Sequence, residues 1–192
     1  MAGKVSGLLE FFMVVGRLKR TVRAGWVQRH VAQPESVSDH MYRMAVMTLA
    51  LGDNDGINRD RCLKLALVHD MAESLVGDIT PACGISKEEK HRKEKDAMNH
   101  ITSLLPGDIG TEVIDLWMEY EQQTSKEAAY VKDIDRFEMI LQAYEYEREQ
   151  SRPGELQDFF DSTKGKFKHQ TIQEWVQELE KMRNKDPTDD KT

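Results

Sequence analysis

Residues 66–78 read A-L-V-H-D-M-A-E-S-L-V-G-D, and the fold of the whole chain follows from how this stretch is understood. His69 and Asp70 are adjacent, and Glu73 comes four residues after the first and three after the second. At helical spacing all three side chains turn toward one region of surface. Their neighbours Leu65, Ala66, Leu67, Val68, Met71, Leu75 and Val76 are apolar, so the stretch is expected as part of one largely buried helix. Gly77 and Asp78 close it with a glycine exit and one more carboxylate. Burying an imidazole and three carboxylates is costly unless something compensates them, and a divalent cation is the obvious candidate. A lone His-Asp pair more often satisfies itself in a core, so the rest of the chain must supply further ligands.

Upstream, Leu8, Leu9, Phe11, Phe12, Val15 and Leu18 form a helical stripe that predicts a first helix over 5–19. Residues 21–36 mix apolar and polar types with one Gly and one Pro, and are expected as a long loop. On it, Arg23 suits a phosphate, while Trp26 is either a platform for a base or a packing residue. Ser36 followed by Asp39 resembles a capping box and opens a helix to about Leu51. Val37, His40, Met44, Met47 and Leu51 share one face of it, which points His40 into the core, where it can meet His69. The D-N-D-G fragment after it suggests a calcium loop, but Leu63 and Lys64 stand where the required Glu would be, and calcium is discarded there.

Asn58 caps a helix expected to run from about Arg59 through Ser74. Ser86 with Glu89 starts a charged, solvated helix, and an amphipathic one follows over 107–122. Ser125 caps a long helix to about Arg148, and shorter ones are expected over 156–162 and 169–182. No period-2 alternation is sustained and no repeat occurs, so the fold class is all-α.

A chain of 192 residues with 39% hydrophobic and 32% charged residues suits one compact domain, here 1–183, with a frayed tail over 184–192. Its net charge of −7 argues against a nucleic-acid partner. Residues 1–31 carry six Lys/Arg against one acid, Glu10, while the remainder carries 21 basic and 33 acidic residues. A basic start on an acidic body fits a small phosphate substrate, and equally a solvated helix end. The apolar run 8–15 is too short to span a bilayer and contains Glu10, so no membrane association is expected. Cys62 and Cys83 form neither a C-x-x-C nor a disulfide framework, which points to a reducing, cytoplasmic setting.

Collected in order, His40, His69-Asp70 and an aspartate of V-K-D-I-D-R give the pattern H…HD…D. With P-E-S-V-S-D-H-M, L-A-L-V-H-D-M-A-E, V-G-D-I and D-x-x-E-M-I-L-Q-A, the chain resembles the HD-domain 5′-deoxynucleotidases of the HD-domain-containing protein 2 group. The likeness runs from about Leu8 to His169. It implies an HD-domain helical bundle with the metal site in its core, a homodimer, and release of phosphate from deoxyribonucleoside 5′-monophosphates. It carries metal-ligand status onto His40, His69, Asp70 and Asp135, a catalytic or second-metal role onto Glu73 and Asp78, and phosphate contact onto Arg23. For the dimer, Phe11, Phe12 and Val15, or the surroundings of Trp117, are the candidate faces.

Two imidazoles and two carboxylates suit Mn, Co, Fe or Zn better than Mg. Such a cation lowers the pKa of a bound water and stabilises charge on phosphoryl oxygens, which is the chemistry of attack by a metal-bound water. Glu73 is then expected to orient or deprotonate that water. Asp78, kept protonated by its neighbours, would protonate the departing 5′ oxygen; alternatively both ligate a second cation. Periodicity alone prefers Asp133 over Asp135 as the buried ligand, because Asp133 lies nearer the centre of the apolar stripe. The resemblance selects Asp135. Guanosine tetraphosphate hydrolases carry H-D-x-x-E-D, whereas Ser74 follows Glu73 here, and the P-F-G-H extension of the deoxynucleoside triphosphohydrolases is absent after Asp70. Those substrates, and a non-enzymatic metal-binding adaptor, are the alternatives.

Overall fold

Four of the helices carry a side-chain cap in the residue before their first turn, and those caps set where these helices begin. The computed structural model describes residues 2–52 and 56–185. Its helices are α1 (Ala2–Val15), α2 (Ala24–Gln28), α3 (Val37–Thr48), α4 (Arg59–Val68), α5 (Glu73–Val76), α6 (Lys87–Ser103), α7 (Gly107–Gln122), α8 (Lys126–Glu149), α9 (Gln157–Thr163) and α10 (Gln170–Lys185). Ser36 Oγ accepts the Asp39 N–H at 3.2 Å while Asp39 Oδ2 accepts the Ser36 N–H at 2.9 Å, a complete capping box. Asn58, Ser86 and Ser125 each accept one N–H from the first turn of α4, α6 and α8. Each such cap stabilises its helix by about 1 kcal/mol. Among the described residues there is no strand, only an isolated antiparallel bridge between Val22 and Ser36.

One apolar cluster extends from Val14 on α1 to Leu179 on α10. Helices α3, α4 and α8 pack against one another at its centre, α7 closes it on α4 and α8, and α10 lies along α8. Leu65, Met98, Trp117, Ile134 and Ile140 are among its fully buried members. Gly110 lets the first turn of α7 sit on the end of α6, since a Cβ there would fall 2.5 Å from the Thr102 carbonyl oxygen.

Some expectations of local structure need correction. Residues 59–74 are not one helix: α4 stops at Val68, and the N–H groups of Met71, Glu73 and Ser74 bond three residues back instead of four. This tightening changes the direction of Asp70 and Glu73 relative to His69, and α5 then ends at Gly77, whose φ of +76° favours glycine. Loop 21–36 contains α2, because Trp26 buries its ring and draws a short helix onto the core. Of the faces offered for a dimer, Trp117 is buried and Phe11 and Val15 pack partly into the core, whereas Phe12 is exposed beside Val5, Leu9 and Met13. The last helix reaches Lys185, two residues into the stretch expected as a tail. Residues 186–192, and residues 53–55 of the discarded calcium fragment, lie outside the described residues.

No helix among the described residues is long and apolar enough to cross a membrane. The two thiols differ sharply. Cys62 is fully buried, and burial together with Glu127 and Glu119 pushes its pKa up to about 12, whereas Cys83 is exposed. A thiol reagent is therefore expected to titrate one cysteine in the folded protein and a second only in denaturant. Rapid reaction of both thiols without denaturant would contradict the buried position of Cys62.

Candidate metal centre

His40, one turn into α3, and His69, at the end of α4, face each other with ring centroids 5.6 Å apart. Each imidazole is held by its Nδ1. His69 Nδ1 lies 2.9 Å from the Ala66 carbonyl oxygen, which can only accept, so Nδ1 donates there and Nε2 is the nitrogen left to face the site. His40 Nδ1 bonds the buried Glu138 carboxylate. Both Nε2 atoms are buried with no hydrogen-bond partner. They converge on carboxylates: Asp70 Oδ2 is 3.1 Å from His69 Nε2 and 3.9 Å from His40 Nε2, and Asp135 Oδ1 is 3.4 Å from His40 Nε2. Donor atoms of His40, His69 and Asp135 all lie within 4.8 Å of one another.

Two unpaired imidazole nitrogens facing two carboxylates is an arrangement that repels itself unless something positive sits between. The titration behaviour expresses this. Burial and Arg23 pull the His40 pKa down, but Glu138 and Asp135 outweigh them and raise it to about 9. Burial alone would raise the Asp70 carboxyl, yet His69, Arg23 and His40 hold it below the ordinary carboxylate range. Asp135 is likewise held well below that range, burial being overcome by Lys132, His40 and His69. The mixed nitrogen and oxygen donor set fits a divalent transition-metal cation.

The other expected residues are placed as follows. Arg23, nearly buried, directs Nη1 at Asp70 Oδ2 across 3.4 Å and stays charged beside Asp70, Asp135, Asp78 and Glu73. Asp78 Oδ2 accepts the Ala24 N–H at 2.7 Å, which ties the Arg23 loop to the exit of α5. Glu73 is only 4% exposed and its Oε2 has no partner. Burial, Asp70 and Asp78 together raise its carboxyl well above the ordinary range. Trp26 is a correction. It is 1% exposed, its ring packs against Phe159 and Tyr146, and its Nε1 donates to Glu35 at 3.0 Å. A ring so enclosed presents no open face to a base, and its placement fits the packing alternative.

Asp133 and Asp135 separate cleanly. Asp133 is turned to the opposite side of α8, where Oδ2 accepts the His169 N–H at 2.8 Å and the Lys168 N–H, and Arg136 pairs with Oδ1. Buried centrality, the feature that recommended it, belongs to a structural anchor. Asp135 instead receives the Tyr120 hydroxyl and Lys132 Nζ, each at 2.8 Å, on Oδ2, leaving Oδ1 toward His40. Residue-by-residue inspection of the sequence missed Tyr120, Lys132, Arg43 and Glu138. For Glu138 a signal exists: it stands three residues after Asp135, one turn along the same helix.

The HD domain family matches residues 15–176, so this all-α chain belongs to that family. Among its relatives, 5′-deoxynucleotidase HDDC2 of Mus musculus is 60% identical over 183 residues, covering 95% of this chain and 92% of that one. The 5′-deoxynucleotidase hdd1 of Schizosaccharomyces pombe is 45% identical over 183 residues, covering 93% and 91%. A solved structure of a conserved hypothetical protein from Pyrococcus furiosus superposes with a TM-score of 0.72 at 30% identity, covering 90% of this chain and 99% of that one.

Proposed function

We propose that this chain is a metal-dependent 5′-deoxynucleotidase, a phosphoric monoester hydrolase that converts deoxyribonucleoside 5′-monophosphates to deoxyribonucleoside and phosphate. The observation that carries this reading is the pair of buried, unpartnered Nε2 atoms aimed at Asp70 and Asp135 beside a charged Arg23. The names of the relatives support the substrate class.

His40, His69, Asp70 and Asp135 would hold the cation, with Mn, Co, Fe or Zn suited to the imidazoles better than Mg. When bound, the cation acidifies water and neutralises charge on phosphoryl oxygens. Arg23 binds the phosphate and orients it, its guanidinium already lying within reach of Asp70. Glu73 Oε2, free of other partners, receives the proton of the attacking water as its oxygen bonds to phosphorus. The bond from phosphorus to the 5′ oxygen breaks, and Asp78 delivers a proton to that oxygen from Oδ1, since Oδ2 is engaged by Ala24. A second cation held by Glu73 and Asp78 is the competing assignment of those two carboxylates. Trp26, packed under the loop, keeps Arg23 in register rather than touching the base. We place the protein in the cytoplasm as a single domain over 1–183, and as a homodimer through the exposed Val5, Leu9, Phe12 and Met13 stripe of α1.

Phosphate release from deoxy- and ribonucleoside 5′-monophosphates, with Mn²⁺, Co²⁺, Mg²⁺ or a chelator, tests the proposal. Metal-dependent release that favours the deoxy series is expected. Arg23→Ala should lower kcat/KM by about 10- to 100-fold, the loss of a charged hydrogen bond. No release from folded, Mn²⁺-loaded protein would overturn the nucleotidase reading and move attention to deoxynucleoside triphosphates, guanosine tetraphosphate and an adaptor role.

A further inference from the structure

Behind His40, on the side away from Asp70 and Asp135, lies a charged relay that the chemistry above does not use. Glu138 is fully buried on α8. Its Oε2 bonds His40 Nδ1, and its Oε1 accepts Arg43 Nε at 2.8 Å and pairs with Arg43 Nη2 at 2.7 Å. Arg43 sits one turn after His40 on α3; its Nη2 also donates to Gln142 Oε1 at 2.7 Å, and its Nη1 donates to Glu145 Oε2 at 2.5 Å. Glu138, Gln142 and Glu145 form one face of α8, so a single guanidinium grips that face and fixes the middle of the relay.

His69 shows how little is needed to orient an imidazole. Its Nδ1–H is satisfied by the neutral carbonyl of Ala66. A fully buried carboxylate behind His40 costs desolvation that a neutral acceptor would avoid, and Arg43 is required to offset it. What the carboxylate adds over a neutral acceptor is negative charge, which makes the opposite nitrogen a better donor to a cation. We infer that Glu138, held by Arg43, is a positioning residue of the metal centre: it points His40 Nε2 into the site and strengthens it as a ligand. The inference rests on His40 being a ligand, as proposed above. The competing view is that Arg43 and Glu138 merely staple α3 to α8.

The two views separate in a direct Mn²⁺ titration of the full chain, read from the resonance of the free ion, with the thermal midpoint in chelator recorded alongside. Glu138→Gln keeps an acceptor for the imidazole proton and removes the charge. It is expected to weaken Mn²⁺ binding by about 10- to 100-fold, the usual effect of losing such a partner. Arg43→Met, which leaves Glu138 in place but unheld, should weaken it in the same direction. A staple would lower the midpoint in chelator and leave Mn²⁺ affinity alone. Wild-type affinity in folded Glu138→Gln therefore overturns the inference; if that variant does not fold, wild-type affinity in Arg43→Met overturns it. Wild-type protein that binds no Mn²⁺ would instead strike at the proposed site as a whole, so the two failures are distinguishable.

Discussion

Glu73→Gln is expected to reduce phosphate release by about 10²- to 10⁴-fold, the range attributed to a positioned proton-transfer group, while Mn²⁺ binding persists. The substitution keeps the shape of a side chain that is 4% exposed and removes only its ability to take or hold a proton. Glu73 is an unusual residue to bury for structural reasons. One of its oxygens has no partner, and Asp70 and Asp78 crowd it with like charge, so that its carboxyl is raised well above the ordinary range. Arg23 and Lys90 pull in the other direction, and further positive charge among the histidines would extend that pull. A carboxyl balanced in this way can exchange a proton during the reaction. Relief of like-charge crowding should leave the thermal midpoint of Glu73→Gln no lower than that of the wild type. A variant that hydrolyses deoxynucleotides at the wild-type rate would remove Glu73 from the proton path.

The second large effect comes from a pair of substitutions two residues apart. Asp135→Asn is expected to weaken Mn²⁺ by more than the 10- to 100-fold typical of losing an outer partner, because Oδ1 faces the His40 Nε2 directly. Asp133→Asn is expected to leave Mn²⁺ affinity unchanged and to destabilise the fold by about 1–3 kcal/mol, the cost of disrupting a buried, charge-assisted hydrogen-bond set. Asp133 is 1% exposed and joins α8 to the start of α10 through Lys168 and His169. The measurements are an Mn²⁺ titration and a thermal melt on both variants. If Asp133→Asn empties the site and Asp135→Asn leaves it filled, the assignment of the fourth ligand is wrong.

The comparison of these two aspartates shows where local pattern stops being informative. Helical periodicity reports the direction of a side chain relative to the apolar stripe of its own helix. Asp133 is nearer the centre of that stripe, and it is indeed the more buried of the two. Burial, though, does not say which neighbour is met. Asp133 meets the turn before α10 and Asp135 meets α3, and that depends on how three helices pack. Trp26 behaves similarly. Its chemistry allows stacking on a base or on a core, and only the positions of Phe159 and Tyr146 choose between them.

Local chemistry was sufficient for the helix caps and for the spans of several helices. Ser36, Asn58, Ser86 and Ser125 cap their helices through N–H groups three residues on, and the apolar spacing around them places α3, α6, α7 and α8 to within a few residues. Backbone hydrogen bonds and side-chain direction in a helix are short-range properties, so a short window carries them. Even so, the break after Val68 escaped that window, because the apolar pattern of 66–76 suits a continuous helix and packing prefers the tighter turn.

The amino-acid order alone established an all-α chain whose ionisable residues His40, His69, Asp70 and Glu73 lie in apolar surroundings. Tertiary structure decided which neighbours meet: Asp135 lies beside His40 while Asp133 bonds the turn before α10, Trp26 packs on Phe159 and Tyr146, and Glu138 with Arg43 stands behind His40. Glu138 is 98 residues from His40 and 95 from Arg43 along the chain. No local propensity spans such separations; the contacts exist only because α3, α4 and α8 bury their apolar faces together and bring those charged side chains to the same place.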